Sequence, residues 1–319
     1  MGRGIPLRTR VFTGLTGRLG TPIDSMDPAD LPALRRRRAR VQRSRLARLV
    51  VGRPAAGCEI ADRTVSFGAN ALRMRVYRPA GATGSLPGVV AFHGGGFVLG
   101  DPEQAEWLCS QVAVRTRAVV VSAEYRLAPE HPYPAAIDDA WSATRWAYDN
   151  ADELDIDRDR FAIMGESAGG TLAAVVAIKA RDAGGPRLRA QALLYPAVEM
   201  TETFDSERRN AAGPIVTSAQ LKGFSRMYLA GADGSDPLAS PLRTPDLAGV
   251  APALIQTAEY DPLRDNGSRY AAALRHAGVP VRYTCYRGAV HGYLNMPGVV
   301  PAAQQAIGEV ERELRRLLQ

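Results

Sequence analysis

The stretch FAIMGESAGGTLAAVVAI, which begins at Phe161, constrains the fold of this chain more than any other part of the sequence. Its first four residues are apolar and typical of a buried strand, and the run from Ala168 has the spacing of a helix. Between these two elements, Gly165 and Gly169 flank Ser167. A tight turn forces unusual backbone angles on such a serine and leaves no room for side chains two positions away. The pattern therefore predicts a serine that a strand-to-helix turn lifts out of a sheet.

This position suits a nucleophile. A serine hydroxyl reacts poorly unless a base lies beside it, and the turn provides space for both a base and a substrate. The helix that follows would add N–H groups and partial positive charge near the reacting atom. The alternative is a glycine-lined phosphate turn, which is weaker because the lysine and the following Ser or Thr of a P-loop are absent. We therefore interpret Ser167 as a catalytic nucleophile.

A glycine-rich stretch could supply the N–H donors that a serine nucleophile needs for its oxyanion. The oxyanion that develops on an attacked carbonyl needs preorganised N–H donors, and the sequence HGGG begins at His93 directly after an apolar run. The predicted oxyanion-hole donors are the amides of Gly94, Gly95 and Ala168. Phe97 is expected to line the acyl or alcohol pocket, and Glu166 is assigned with it to substrate binding. The alternative for HGGG is a flexible glycine turn.

The chain contains four candidates for the base, since it has four histidines. His291 lies in a loop just after the last predicted strand, where open α/β sheets place site residues, and we choose it. His93 belongs to the glycine-rich loop and is expected to hold the shape of that loop. His131 lies in a proline-bounded loop and His276 near the end of a charged helix, so both are interpreted as structural or surface residues.

The acid that orients the histidine should lie between the serine and the histidine in the chain. Asp261 follows a predicted buried strand, and Pro262 would stiffen the turn that aims its side chain. Glu259 and Asp265 are rivals, although Asp265 looks more like the N-cap of the next helix. The expected role of Asp261 is to fix the imidazole tautomer and to stabilise the imidazolium without taking the proton.

The order of elements predicts the fold class. Strands and helices alternate from residue 88 onward, which indicates an α/β fold with a mostly parallel sheet covered by helices on both faces. Before this, 59–67 and 72–77 alternate in hydrophobicity like an antiparallel pair. Residues 1–50 look helical and basic, and 199–236 lacks a clear strand and is interpreted as a helical insertion.

The charge and the cysteine content limit which partners and cofactors we expect for this chain. The net charge is +7, and with only two lysines it is carried almost entirely by arginine. The dense run Arg35–Arg40 predicts a surface helix with a basic solvent face; we do not expect nucleic-acid binding, whereas an acidic lipid surface or an acidic substrate stays open. The three cysteines show no metal-binding spacing, so reduced thiols are expected, with no metal and no cofactor.

Nothing in the sequence predicts a membrane span or an export signal. No segment reaches the roughly 18 uninterrupted apolar residues that would span a bilayer, and the basic start of the chain lacks the apolar core of a secretory signal. We therefore expect a cytoplasmic protein without stable membrane insertion.

Taken together, these motifs resemble those of the bacterial hormone-sensitive-lipase-like esterases, which have the α/β-hydrolase fold. The matching stretches are HGGGFVLG (93–100), EYRLAPEHPYPAAIDDA (124–140), GESAGG (165–170), PLASPL (237–242), EYDPLRD (259–265) and VHGY (290–293). The resemblance implies an eight-stranded sheet with a helical cap, a Ser–His–Asp triad and an oxyanion loop. It also implies a cap segment at 1–50 and a catalytic domain at 51–319, with a cap insertion at about 199–236. Glu166 departs from the family, which more often has Asp there.

The predicted function is therefore a serine carboxylesterase that hydrolyses small-molecule, short-chain acyl esters through an acyl-enzyme. The alternative is a deacetylase of a natural product or an N-acetylated small molecule that uses the same site. A ligand receptor on this fold would be expected to lack a triad residue, and a lipase to show a long apolar lid, so both are disfavoured. The resemblance allows monomers and homodimers, the latter through the sheet edge near 281–286.

Overall fold

The computed structural model describes residues 4–17, 23–68 and 70–319, and these contain one sheet of eight strands. The strands are β1 (Cys58–Phe67), β2 (Asn70–Pro79), β3 (Leu86–Phe92), β4 (Val119–Ala123), β5 (Ile156–Glu166), β6 (Ala190–Leu194), β7 (Ala253–Tyr260) and β8 (Val281–Val290). Their order across the sheet is β1-β2-β4-β3-β5-β6-β7-β8. β2 pairs antiparallel with β1 and β4, and the remaining neighbours pair in parallel. The predicted α/β class and the early antiparallel pair are confirmed; the middle of its turn, Ala69, lies outside the described residues.

Helices cover both faces of the sheet, as the alternation of elements predicts. They are α1 (Leu7–Gly17), α2 (Leu31–Gln42), α3 (Arg48–Val51), α4 (Glu106–Thr116), α5 (Ala135–Asp149), α6 (Ala168–Asp182), α7 (Asp205–Arg209), α8 (Ser218–Leu229), α9 (Arg264–His276) and α10 (Ala302–Leu317). α5, α6 and α9 share one hydrophobic core with the sheet, and α4 and α10 share the other. Every residue of β3, β4 and β6 is buried, which is why these strands are almost uniformly apolar. No helix among the described residues is long and apolar enough to cross a membrane.

Several element boundaries differ from the sequence prediction, among them the starts of β5 and α9. β5 begins at Ile156 rather than at Phe161, because the charged residues 157–160 extend the strand beyond the core, where no apolar run marks it. α9 begins at Arg264, so Asp265 lies in the first turn of that helix and is not its N-cap. Its carboxylate instead accepts a hydrogen bond from the Ser206 amide at 2.8 Å.

The segment that joins α1 to α2 lies against the helical insertion. The guanidinium of Arg226 in α8 donates a hydrogen bond to the carbonyl oxygen of Asp24 at 2.7 Å. A Cβ on Gly223 of the same helix would lie only 2.7 Å from the Cα of Asp24, so the two backbones approach closely. This contact brings together the two segments that the sequence analysis assigns to a cap.

Candidate active site

Ser167 occupies a strained turn between β5 and α6. Its backbone angles, φ 54° and ψ −118°, lie outside the regions that L-residues ordinarily adopt, and such strain is concentrated at functional sites. The flanking glycines are required by contacts with the backbone. A Cβ on Gly165 would overlap the carbonyl oxygen of Gly169, and a Cβ on Gly169 would overlap the carbonyl oxygen of Phe92. The turn predicted from the GESAG pattern is therefore present, with the serine side chain held out of the sheet.

We expect Gly169→Ala to lower the free energy of unfolding by at least about 3 kcal/mol, because rigid backbone blocks the added methyl group. Chemical denaturation followed by circular dichroism measures this change. Gly308→Ala is the matched control, since the nearest atom to its new Cβ is the flexible end of Arg312 at 3.5 Å. That variant should gain up to about 1 kcal/mol of helix propensity. Wild-type stability in Gly169→Ala would contradict the tight packing of this turn.

The structure brings Ser167, His291 and Asp261 together in one hydrogen-bonded line. His291 Nε2 lies 2.9 Å from Ser167 Oγ, and His291 Nδ1 lies 2.7 Å from Asp261 Oδ2. Asp261 is completely buried, and its second carboxylate oxygen accepts the amide of Leu263 at 2.8 Å. Because the carboxylate faces Nδ1, the proton of a neutral ring belongs there, and the lone pair of Nε2 faces the serine hydroxyl.

The carboxylates that rivalled Asp261 have other partners. Glu259 accepts a hydrogen bond from the Gly288 amide at 2.8 Å. Asp265 forms an ion pair with Arg264 at 2.9 Å. Neither carboxylate is hydrogen-bonded to His291, so geometry favours Asp261 alone as the acid beside the imidazole.

The other histidines lie away from the serine hydroxyl or face inward. His93 is buried, donates from Nδ1 to the carbonyl oxygen of Gly94 at 2.7 Å, and stacks on Tyr125 with ring centroids 4.3 Å apart. Burial lowers the pKa of His93 to about 4, so the ring is neutral at pH 7. It therefore fixes the shape of the glycine-rich loop. His131 and His276 are exposed.

The hydrogen bonds of the glycine-rich loop differ from the prediction at one of the expected oxyanion-hole amides. The Gly94 amide already donates to Glu166 Oε1 at 3.2 Å, so it is not available for a substrate. The amides of Gly95, Gly96 and Ala168 make no hydrogen bond to any residue that the structure describes. The set of available donors is thus shifted by one glycine from the predicted pair, because the carboxylate of Glu166 reaches beneath the loop.

Glu166 itself is not placed to bind a substrate, which corrects the sequence assignment. Its side chain is 1% exposed, and its carboxylate also accepts hydrogen bonds from Tyr195 Oη at 2.7 Å and Asn295 Nδ2 at 3.1 Å. Burial raises the pKa of this carboxyl group. Glu166 therefore joins the glycine-rich loop to the residue that follows β6 and to the segment after β8. Sequence reasoning had no signal for Tyr195 or Asn295.

Aromatic residues of α8 close over the loop. Phe97 is 4% exposed and stacks on Tyr228 with ring centroids 3.8 Å apart. The ring of Phe224 lies so close to Gly96 that a Cβ there would overlap it. Sequence reasoning singled out Phe97 but missed Phe224 and Tyr228. The only sequence signal for these two residues was that they are aromatic and lie in a predicted helical insertion. Whether Phe97 itself lines the pocket stays a prediction.

The described residues contain no group of three or more His, Cys, Asp or Glu side chains that could hold a metal ion. The three cysteines are free thiols, one of them fully buried. Burial raises the pKa of that thiol, Cys109, which opposes formation of the reactive thiolate. Ser167, by contrast, has its hydroxyl oxygen 2.9 Å from the Nε2 atom of His291.

Comparisons with known proteins agree with this geometry. The model of a family described as having the alpha/beta hydrolase fold matches residues 89–295. Esterase LipI of Mycobacterium tuberculosis is 45% identical over 77% of this chain and 78% of its own length, and carboxylesterase NlhH of the same species is 45% identical over 81% and 83%. The crystal structure of a thermostable esterase from Pseudomonas putida superposes with a TM-score of 0.90 at 35% identity and covers 100% of this chain and 99% of that one. The chain therefore belongs to the alpha/beta hydrolase fold family and, within it, to the hormone-sensitive-lipase-like esterases.

Proposed function

We propose that this carboxylic ester hydrolase is a serine carboxylesterase that cleaves short-chain acyl esters through an acyl-enzyme on Ser167. The observation that carries the proposal is the continuous line from the Ser167 hydroxyl through His291 to the carboxylate of Asp261, with distances of 2.9 and 2.7 Å. Such a line gives a serine hydroxyl a base and gives that base an orienting anion. Similarity to proteins named esterases supports the reaction class.

In the first half of the reaction, Ser167 Oγ attacks the ester carbonyl while His291 Nε2 takes its proton. The carboxylate of Asp261 stabilises the resulting imidazolium through the Nδ1 hydrogen bond and does not itself take the proton. The imidazolium then protonates the leaving alcohol. In the second half, water attacks the acyl-enzyme by the same path, releases the acid and restores the serine hydroxyl.

The proposed oxyanion hole consists of the amides of Gly95, Gly96 and Ala168. Gly95 and Gly96 have φ angles of 124° and 64°, and glycine adopts such angles without strain. Ala168 is the first residue of α6, where the amides have no partner within the helix and the helix dipole is positive. Three amides that have no hydrogen-bond partner among the described residues are suited to a charge that develops only during reaction.

The cap is proposed to restrict the length of the acyl chain. It would consist of 1–50 and the insertion at about 199–236, mounted on a catalytic domain that spans 51–319. The close contact of Phe224 with Gly96 and the stack of Tyr228 on Phe97 support this role. Bulky rings directly beside the proposed oxyanion hole leave little depth for a long chain.

A series of p-nitrophenyl esters from acetate to decanoate tests the proposal. We expect kcat/KM to be highest for acetate to butyrate and to fall at least about tenfold by decanoate, because each methylene that a pocket cannot accept costs binding energy. Phe224→Ala should move the preference to longer chains, whereas Lys222→Ala, an exposed position on the same helix, should not. Hydrolysis of N-acetyl substrates alone, with simple esters inert, would contradict the esterase and favour the deacetylase.

A further inference from the structure

The positive charge of the chain is concentrated at its N-terminal end. Residues 1–53 contain 13 arginines, no lysine and three acidic residues, a net charge of +10. The whole chain has 40 basic and 33 acidic residues, which leaves 27 basic and 30 acidic residues in 54–319, a net charge of −3. The excess basic charge thus belongs to one sixth of the sequence and not to the protein as a whole.

The exposed large apolar side chains are concentrated in the same part. Within the described ranges, the large hydrophobic residues that are exposed, at 53% to 76%, are Leu7, Val11, Leu15, Val41, Leu46 and Leu49. Leu7, Val11 and Leu15 are spaced four apart and therefore form a stripe along α1. The other face of this helix is packed, since Thr9 and Thr13 are buried. An apolar stripe of this size on a helix that is already docked needs an explanation.

Both α1 and α3, which carry four of these apolar residues, contact one segment near the end of the chain. Thr9 of α1 donates a hydrogen bond to the carbonyl oxygen of Val299 at 2.6 Å. The amide of Gly298 donates to the carbonyl oxygen of Val50, next to Leu49, at 3.0 Å. α1 and the end of α3 therefore both lie against the segment 297–299.

Unpaired arginines accompany the exposed apolar residues. In the parts of the chain that the structure describes, no carboxylate lies within 4.0 Å of the guanidinium groups of Arg8, Arg10, Arg36, Arg40, Arg45 and Arg48. All six are exposed. Together with the six apolar residues above, they are called the N-terminal surface below.

We propose that the N-terminal surface docks on an anionic lipid bilayer. Exposed leucines beside unpaired arginines are the composition that lies in a membrane interface, with the apolar side chains in the acyl region and the arginines at the anionic headgroups. A nucleic acid would neutralise the arginines but offers no apolar phase to the leucines. A second copy of the chain would set these six arginines against six groups of the same charge.

Docking there would also bring the candidate active site close to the membrane. Arg35 of α2 donates to the carbonyl oxygen of Val98 at 2.8 Å, and Val98 lies two residues after Gly96 of the glycine-rich loop. The helix that carries part of the N-terminal surface is therefore joined to the segment beside the site. The proposal stands on exposure and charge and does not depend on which ester is hydrolysed.

Vesicle flotation with the purified full-length protein tests the proposal. We expect the protein to float with vesicles of equal parts phosphatidylglycerol and phosphatidylcholine, and to stay at the bottom with phosphatidylcholine alone. Raising the ionic strength to 1 M should release most of it, because the Debye length then falls to about 3 Å. Absence of binding to the anionic vesicles at low salt overturns the proposal, as does binding to both kinds of vesicle alike.

Two variants and a matched control separate docking from general charge. Arg45→Glu with Arg48→Glu should lower the partition coefficient about 30-fold, and Leu7→Ser with Val11→Ser and Leu15→Ser at least about tenfold. Arg187→Glu with Arg209→Glu makes the same charge change at exposed positions elsewhere and should bind like wild type. Unchanged thermal unfolding verifies that each variant is folded. An equal loss of vesicle binding in the control would overturn the proposal and indicate that total charge alone drives binding. A dimer that only the triple serine variant dissociates would overturn it and indicate that a second copy of the chain covers the surface.

Discussion

Ser167→Ala is expected to lower kcat for p-nitrophenyl butyrate by at least about 10,000-fold. The substitution removes the only atom that can form the acyl-enzyme and leaves the imidazole 2.9 Å from an empty position. What activity remains would come from binding and from the oxyanion donors, which by themselves give a small fraction of the rate of a complete triad. The measurement is the release of p-nitrophenol under saturating substrate.

The control for this variant is Ser85→Ala, at an exposed position before β3, which should retain wild-type kcat. A fluorophosphonate probe should label the wild type and Ser85→Ala but leave Ser167→Ala unlabelled. Full activity in Ser167→Ala would disprove the proposed mechanism. Because alanine fits the volume of the serine side chain, its thermal unfolding should match that of wild type.

Asp261→Asn is expected to lower kcat by about 1,000- to 10,000-fold at neutral pH, with little change in KM. The amide oxygen of asparagine can still accept the Leu263 N–H, which Asp261 now binds at 2.8 Å. Its NH2 group then faces His291 Nδ1 and makes that nitrogen an acceptor. The ring proton moves to Nε2, so no lone pair faces the Ser167 hydroxyl and the base is lost.

Glu259→Gln is the matched control for this prediction, since it neutralises a carboxylate two residues away that binds the Gly288 amide. Its kcat should fall less than about tenfold. Retention of most activity in Asp261→Asn, with a larger loss in Glu259→Gln, would show that the orienting acid has been misassigned. Steady-state kinetics of both variants beside wild type decides between the two.

The residues of the serine–histidine–aspartate line could be predicted because each follows a strand that the sequence marks clearly. Ser167, Asp261 and His291 come directly after the parallel strands β5, β7 and β8, and the carboxyl ends of parallel strands meet at one edge of a sheet. The spacing of the glycines around Ser167 also predicted that its side chain points out of the sheet. These signals are local in sequence, and parallel topology converts them into proximity.

Which amides of the glycine-rich loop are free could not be predicted from the sequence. Three consecutive glycines look alike in sequence. Which of their amides is free depends on the position of the Glu166 carboxylate, and no sequence pattern encodes that side-chain conformation. The aromatic residues of α8 were missed for a related reason. Their contacts with Gly96 and Phe97 depend on how a helical insertion docks, and residue spacing within the insertion carries no information about that.

The buried carboxylate beneath the glycine-rich loop sets a limit for engineering. Through the Gly94 amide, Tyr195 and Asn295, one side chain fastens three separate parts of the chain around the reacting centre. Shortening Glu166 to enlarge the pocket would remove all three hydrogen bonds at once, so the residues around the site would be held less rigidly. The rings of α8 offer the safer route to new substrates, because they can be exchanged while that fastening stays intact.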